Sequence, residues 1–310
     1  MIQVDLITGF LGSGKTTFIK KYAKSYLDLG QKICILENDF GAVNVDMMLL
    51  QDMGDNCELE MIAGGCDHQT HIRRMKTKLI SMGMRGFHRV LIEPSGIFDV
   101  DEFFDLLHEE PLNQWYEIGN VITLVDASLE TNLSRHSQYI LTSQIANAGK
   151  IVFSKVDEAK AENIDCTKRY LQTVLSEFRC PRQLTNEDFF IKDYRKWNEV
   201  DFDMLQHCGY QLYSYMKIMF DYSKEYNTQY FMNLSLSLNQ VKEMIKPLMN
   251  DESCGHIMRI KGFICDENQW YEINATHSQT TIKPLDEGQD VVIVIGEHLV
   301  KENIEKYFRK

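Results

Sequence analysis

The run Gly9-Phe10-Leu11-Gly12-Ser13-Gly14-Lys15-Thr16 constrains this chain more than any other feature, because it fills every fixed position of the pattern GxxxxGK[ST]. It follows residues 2–8, which read as a buried strand, and precedes residues 15–29, whose apolar spacing is helical. A strand that turns through glycines into a helix aims successive backbone N–H groups and the positive end of the helix at one small space. Such a space suits phosphates. In that arrangement Gly9, Gly12, Ser13 and Gly14 form the cradle, Lys15 reaches the β- and γ-phosphates, Thr16 offers its hydroxyl to Mg²⁺, and Thr17 reaches a more internal phosphate.

Further strands are expected at 32–37, 89–93, 121–126 and 151–154, separated by segments long enough for crossover helices. The fold class is therefore α/β: a P-loop NTPase with a mostly parallel sheet flanked by helices. Near residue 206 the texture changes to an apolar and aromatic stretch over 210–238 and a helical one over 239–249. Closely spaced strands follow at 256–265, 269–274, 280–284 and 290–295, then a last helix at 299–308. The expected division is 1–205 for a nucleotide-binding domain and 206–310 for a smaller C-terminal α+β domain.

Charge excludes one class of partner. With 33 Lys and Arg against 45 Asp and Glu, a net charge of −12 and no long basic run, the chain is a poor match for nucleic acid. No apolar run approaches the roughly 20 residues that span a bilayer, and the N-terminus lacks a signal-peptide pattern. The eight cysteines form no CxxC pair, which suits free thiols in a reducing compartment. The expectation is a cytoplasmic protein with no membrane partner.

Base choice is read from Ser154-Lys155-Val156-Asp157 after the 151–154 strand, an approximation of NKxD. Asp157 can accept hydrogen bonds from the guanine N1–H and 2-amino group, donors that adenine does not offer, while the Lys155 stem lies along the base. Ser154 stands where the pattern has Asn, which shortens or removes one contact to the base edge. Two acidic groups fall at strand ends, where such a fold collects its reacting parts: Asp39 in Asn38-Asp39-Phe40-Gly41 and Glu93 in Glu93-Pro94-Ser95-Gly96. Glu93 is expected to order the Mg²⁺ shell or the attacking water, and Gly96 to sense the γ-phosphate through its N–H. Asp39 and Asp46 lie on the loop expected to respond to nucleotide state; a capping or solvated Asp46 is the alternative.

Taken together, these motifs resemble the CobW family of GTPases, of the SIMIBI class of P-loop proteins. Gly64-Gly65-Cys66, Leu91-Ile92-Glu93-Pro94-Ser95-Gly96 and, near the C-terminus, Met258-Arg259-Ile260-Lys261-Gly262-Phe263 add to the likeness, which covers essentially the whole chain. The resemblance implies a slow GTPase whose nucleotide state controls metal binding or handover, and a C-terminal domain that contacts a client metalloprotein or cofactor-dependent enzyme. A homodimer across the nucleotide face is compatible with the class.

The family's Cys-x-Cys-Cys element is altered here to Cys66-Asp67-His68-Gln69. Cys66, His68 and His71, with Glu37 or Asp39 to complete the set, can ligate Zn²⁺, Co²⁺ or Ni²⁺ if the loop folds back on itself. A small buried cysteine after a Gly-Gly turn, with two polar helix histidines, is the alternative. Three functions stay open on the residues alone: a GTP-driven metallochaperone, a metal-independent G-protein chaperone for a cofactor such as a corrinoid, and a P-loop small-molecule kinase.

Overall fold

The computed structural model describes residues 1–39, 53–63, 68–218 and 226–309, of which 38–39, 63 and 68–71 are described by backbone alone. Asp46 and Cys66 lie outside the described residues. The chain divides into two compact units, Met1–Ile218 and Met219–Lys310.

In the first unit the strands are β1 (Ile2–Gly9), β2 (Ile33–Asp39), β3 (Cys57–Ala63), β4 (Arg89–Pro94), β5 (Tyr116–Asp126), β6 (Lys150–Ser154) and β7 (Phe189–Phe190). They form a sheet in the order β3-β2-β4-β1-β5-β6-β7, and every pairing among the described residues is parallel. Such a sheet needs apolar cover on both faces. On one face α1 (Lys15–Asp28) packs Phe18, Ile19, Tyr22 and Tyr26 on Ile7 and Leu91. On the other, α2 (His68–Gly83) and α3 (Val100–His108) bring Met75, Leu79, Phe103 and Leu107 onto Val4 and Ile92. Among the described residues the unit also has α4 (Leu112–Trp115), α5 (Arg135–Ala146), α6 (Ala161–Glu177) and, after β7, α7 (Glu199–Gln206).

Strands β3 and β7 are absent from the sequence reading. In β3, Glu58 and Glu60 pair with Arg85, and Lys78 donates to Glu60 at 2.5 Å, so its alternate positions carry ions in place of apolar groups. β7 is two residues long and shows no periodicity at all.

A polar knot sits inside the apolar layers. Asp5, fully buried at the centre of β1, accepts from Tyr22 Oη at 2.9 Å, Tyr26 Oη at 3.0 Å, and Asn120 N and Nδ2 at 2.8 and 3.1 Å, and pairs with Arg89. The β1–β5 register slips between Val4 and Leu6, which is what delivers the Asn120 backbone to the carboxylate. Burial pushes the Asp5 carboxyl up; Arg89 and the hydrogen bonds from the tyrosines and Asn120 pull against it.

Residues 206–218 were expected with the C-terminal domain, but they belong to the first unit. Gly209 O accepts from Val121 N at 2.9 Å, Gln211 N donates to Asn147 O at 3.0 Å, and Met216 N donates to Phe178 O at 2.6 Å, so backbone bonds strap the stretch down.

The second unit has strands β8 (Tyr226–Met232), β9 (His256–Asp266), β10 (Gln269–Ala275), β11 (Thr280–Leu285) and β12 (Val291–Glu297). They pair antiparallel in the order β11-β10-β9-β12-β8. Helices α8 (Leu238–Met249) and α9 (Lys301–Phe308) bury Val241, Ile245, Leu248 and Ile304 against Ile260 and Val294 of this sheet. No helix among the described residues is long and apolar enough to cross a membrane.

Candidate functional site

Parallel strands end on one edge of the sheet, and in an open α/β sheet ligands bind outside that edge. Four strand ends matter here. β1 delivers the glycine-rich turn, β4 delivers Glu93, β2 delivers Glu37 and Asp39, and β6 delivers Ser154-Lys155-Val156-Asp157.

The geometry of the turn after β1 suits an anion. Gly14 occupies the N-cap of α1 with φ 87°, a left-handed conformation that a side chain would oppose. Among the described residues no side chain caps this end, and no acidic residue lies in its first turn, which leaves the first N–H groups of α1 available to a ligand. The Lys15 ammonium, mostly buried, folds back to donate to Gly9 O at 3.0 Å. Ser13 Oγ is buried with no hydrogen-bond partner among the described residues. Uncapped amides, an orphaned hydroxyl and a buried cation on one turn fit the oxygens of a phosphate chain.

Thr16 Oγ1 donates to Glu93 Oε1 at 3.0 Å, which joins the start of α1 to the end of β4. Glu93 is buried, and in the β2–β4 register it stands opposite Glu37, also buried. Adjacent parallel strands lie about 4.8 Å apart, so two carboxylates share this corner. An oxygen-only set of this kind fits a hard divalent cation such as Mg²⁺.

Gly96 lies against the phosphate turn. A Cβ added there would sit 2.7 Å from Leu11 N and 2.9 Å from Leu11 Cα, so only hydrogen fits. Its carbonyl accepts from Gln144 Nε2 of α5 at 3.2 Å. Three residues on, Asp99 caps α3 by accepting from Asp101 N, and it also accepts from Tyr139 Oη at 2.7 Å and Tyr215 Oη at 3.2 Å. The segment from Glu93 to Asp99 is thus held at both ends.

After β6, Lys155 adopts φ 53° and its ammonium pairs with Asp126 at 2.7 Å, at the end of β5. Ser154 Oγ donates to Val125 O at 3.4 Å, and Ser154 Cβ lies 3.6 Å from where a Cβ on Gly14 would be, so β6 abuts the phosphate turn. Asp157 Oδ2 pairs with Arg195 Nη2 at 3.0 Å. Arg195 is a residue that sequence reading missed: it follows a two-residue strand, and only the charge pattern of Asp193-Tyr194-Arg195-Lys196 hinted at a held turn. Gln144, Leu11 and Asp126 were missed as well, because each acts through contacts far apart in the chain.

The structure brings Gly9, Gly12, Ser13, Gly14, Lys15, Thr16, Glu93 and Gly96 to one sheet edge, together with Ser154, Lys155 and Asp157. The side chains of Asp39, His68 and His71 lie outside the described residues, as Cys66 does.

Residues 3–180 match the family described as CobW/HypB/UreG, nucleotide-binding domain. The zinc chaperone YeiR of Escherichia coli is 33% identical over 173 residues, covering 56% of this chain and 52% of that protein. The zinc chaperone YjiA of the same organism is 32% identical over 168 residues, covering 51% of this chain and 50% of that one. The chain therefore spans about half the length of the relatives it matches. Among solved structures, the Zn(II)-bound YjiA GTPase from E. coli aligns over 99% of this chain and 98% of that one, at 21% identity and a TM-score of 0.36. The match runs from β1 past the end of α6, and the chain belongs to the CobW/HypB/UreG family of nucleotide-binding proteins.

Proposed function

We propose that this protein binds and hydrolyses Mg²⁺-GTP and uses its nucleotide state to control delivery of a metal, or of a metallocofactor, to a client protein in the cytoplasm. The observation that carries the reading is the Thr16–Glu93 hydrogen bond at 3.0 Å beside the uncapped, lysine-bearing phosphate turn. Gly9, Gly12, Ser13 and Gly14 present amides to the phosphates, and Lys15 leaves Gly9 O to neutralise the β- and γ-oxygens. Thr16 and Glu93 would hold Mg²⁺, which would neutralise charge developing on the phosphates. Glu93 orients the attacking water, and Gly96 N–H reports the γ-phosphate. Asp39, at the end of β2, belongs to the segment that follows nucleotide state, and Lys155 and Asp157 read the base.

For the cargo, Cys66, His68, His71 and Glu37 are the candidate ligands, and the zinc chaperones among the relatives make Zn²⁺ the first ion to test ahead of Co²⁺ and Ni²⁺. The experiment is a titration of Zn²⁺ into the full chain with and without Mg²⁺ and a non-hydrolysable GTP analogue, for wild type and Cys66→Ala. Tight binding that needs Cys66 and changes with nucleotide supports the reading. GTP binding with no zinc binding above background replaces it by a metal-independent chaperone, and a preference for ATP removes the GTPase reading altogether.

A further inference from the structure

β6 and β7 are parallel neighbours, so the turn after β7 and the turn carrying Asp157 emerge side by side at the nucleotide edge. The turn after β7 is firmly built. Trp197 packs edge-on against Phe18 of α1 at 5.7 Å, Phe190 at 5.1 Å and Phe202 at 5.6 Å, and its indole N–H donates to Lys192 O at 3.0 Å. Lys21 of α1 donates to Tyr194 O at 2.9 Å and lies over the Tyr194 ring at 4.4 Å. The turn is therefore anchored to the helix that begins at the phosphate site.

Arg195 rides on this turn. Asp193 accepts from its backbone N–H at 3.0 Å, from Nε at 3.0 and 3.2 Å, and from Nη2 at 3.0 Å. The same Nη2 lies 3.0 Å from Asp157 Oδ2. Although the side chain is 59% exposed, two carboxylates fix its plane, while Nη1 has no partner among the described residues. A cation is thus held against the carboxylate that reads guanine, with one donor free.

Guanine presents a row along one edge: the 2-amino group and N1–H, which donate, then O6, which accepts. A carboxylate alone satisfies only the donors. Ser154, whose hydroxyl is engaged with Val125 O at 3.4 Å, supplies no long amide to the acceptor side. We infer that Arg195 supplies the missing donor: its guanidinium, braced by Asp193 and Asp157, hydrogen-bonds guanine O6. Adenine carries an amino group at that position, so it meets a cation with N–H donors of its own, and the residue selects against it as well as for guanine. Arg195 is then a specificity-determining residue. The inference rests on the GTP reading given above.

The test is competition between a ribose-labelled fluorescent GTP and unlabelled GTP, ATP or XTP, on the full chain. Arg195→Ala is expected to weaken GTP about tenfold, the scale of one charge-assisted hydrogen bond, and to leave ATP within about twofold. To separate a base contact from mere orientation of Asp157, the same substitution is made on an Asp157→Asn background and read with XTP. Xanthine keeps O6 and offers a 2-carbonyl to the Asn amide. A loss of about tenfold there too supports a direct contact. Unchanged XTP binding means that Arg195 acts only through Asp157, and overturns the inference. An unchanged GTP-to-ATP ratio in Arg195→Ala overturns it, and so does tighter GTP binding, which would make the guanidinium an occupant of the base site. If wild type binds ATP as tightly as GTP, the failure belongs to the GTP reading itself.

Discussion

Replacing Gly96 by Ala isolates the contact between the segment after β4 and the phosphate turn. The added Cβ would lie 2.7 Å from Leu11 N, 2.8 Å from Leu11 Cδ2 and 2.9 Å from Leu11 Cα. Ordinary carbon contacts begin at about 3.5 Å, so roughly 0.8 Å must be made up. The Leu11 side chain can rotate away; its backbone cannot without moving the glycine-rich turn that is proposed to meet the phosphates. Nor does the other side yield easily, since Gln144 holds the Gly96 carbonyl and Asp99 is tied to two tyrosines. Overpacking of this sort costs about 1–3 kcal/mol, and at about 2–4 °C per kcal/mol the melting temperature should fall by several degrees. The functional effect should be larger, because displacing a positioned group by about 1 Å lowers a rate on the order of 100-fold. The assays are thermal unfolding without nucleotide, equilibrium binding of a fluorescent GTP, and single-turnover hydrolysis. A variant that melts, binds and turns over like wild type within about twofold would refute the claim that this approach shapes the site.

If Thr16 ligates Mg²⁺ as proposed, Thr16→Ala should weaken GTP about tenfold in Mg²⁺ and not at all in EDTA, as measured by paired titrations, because the group lost is then a metal ligand and not a phosphate donor. Arg182, almost fully buried, donates from Nη1 to the carbonyls of Ile145, Ala146 and Ala148 at the end of α5, and pairs with Asp188 at 2.6 Å. Arg182→Met should therefore cost about 3 kcal/mol, read as a drop of roughly 6–12 °C in melting temperature. Burial alone would raise the Asp188 carboxyl, but hydrogen bonds from Thr185 and Arg182 outweigh it and hold the carboxyl below its ordinary value of 3.8. Its contribution to stability is complete above that ordinary value and is lost as pH falls through the lower folded one. Asp188→Asn should thus flatten the fall of melting temperature with acid below about pH 4.

The sequence was most legible where chemistry demands a fixed spacing. Gly9 to Thr16 and Ser154 to Asp157 could be placed at strand ends because each motif is contiguous and each follows an apolar run. The apolar runs themselves located β1, β2, β4 and β6 to within two residues, and the end of β5, whose start at Tyr116 lies five residues before the expected 121–126 run. Legibility failed where a side chain's partner comes from elsewhere in the chain. Asp5 looks out of place in a buried strand until Tyr22, Tyr26, Arg89 and Asn120 converge on it. Gly96 gives no sign that Leu11 rests on it, and Arg195 is an ordinary surface arginine until β7 sets it beside Asp157. Aromatic texture places a boundary near residue 206, but Tyr215 is aromatic because it fills a space beside Tyr139 in the first unit.

That tyrosine has a mechanical consequence. Tyr215 lies three residues before the end of the first unit, and its hydroxyl is bonded to Asp99, three residues after Gly96. Lys217 adds a second tie to the same helix start through Asp101. The last stretch of chain to leave the first unit is thus fastened to the turn that leaves Glu93. If that turn shifts when a phosphate is gained or lost, the exit must either move with it or surrender these two anchors. Either response changes how firmly the end of the first unit, at Tyr215 and Lys217, is held against the start of α3.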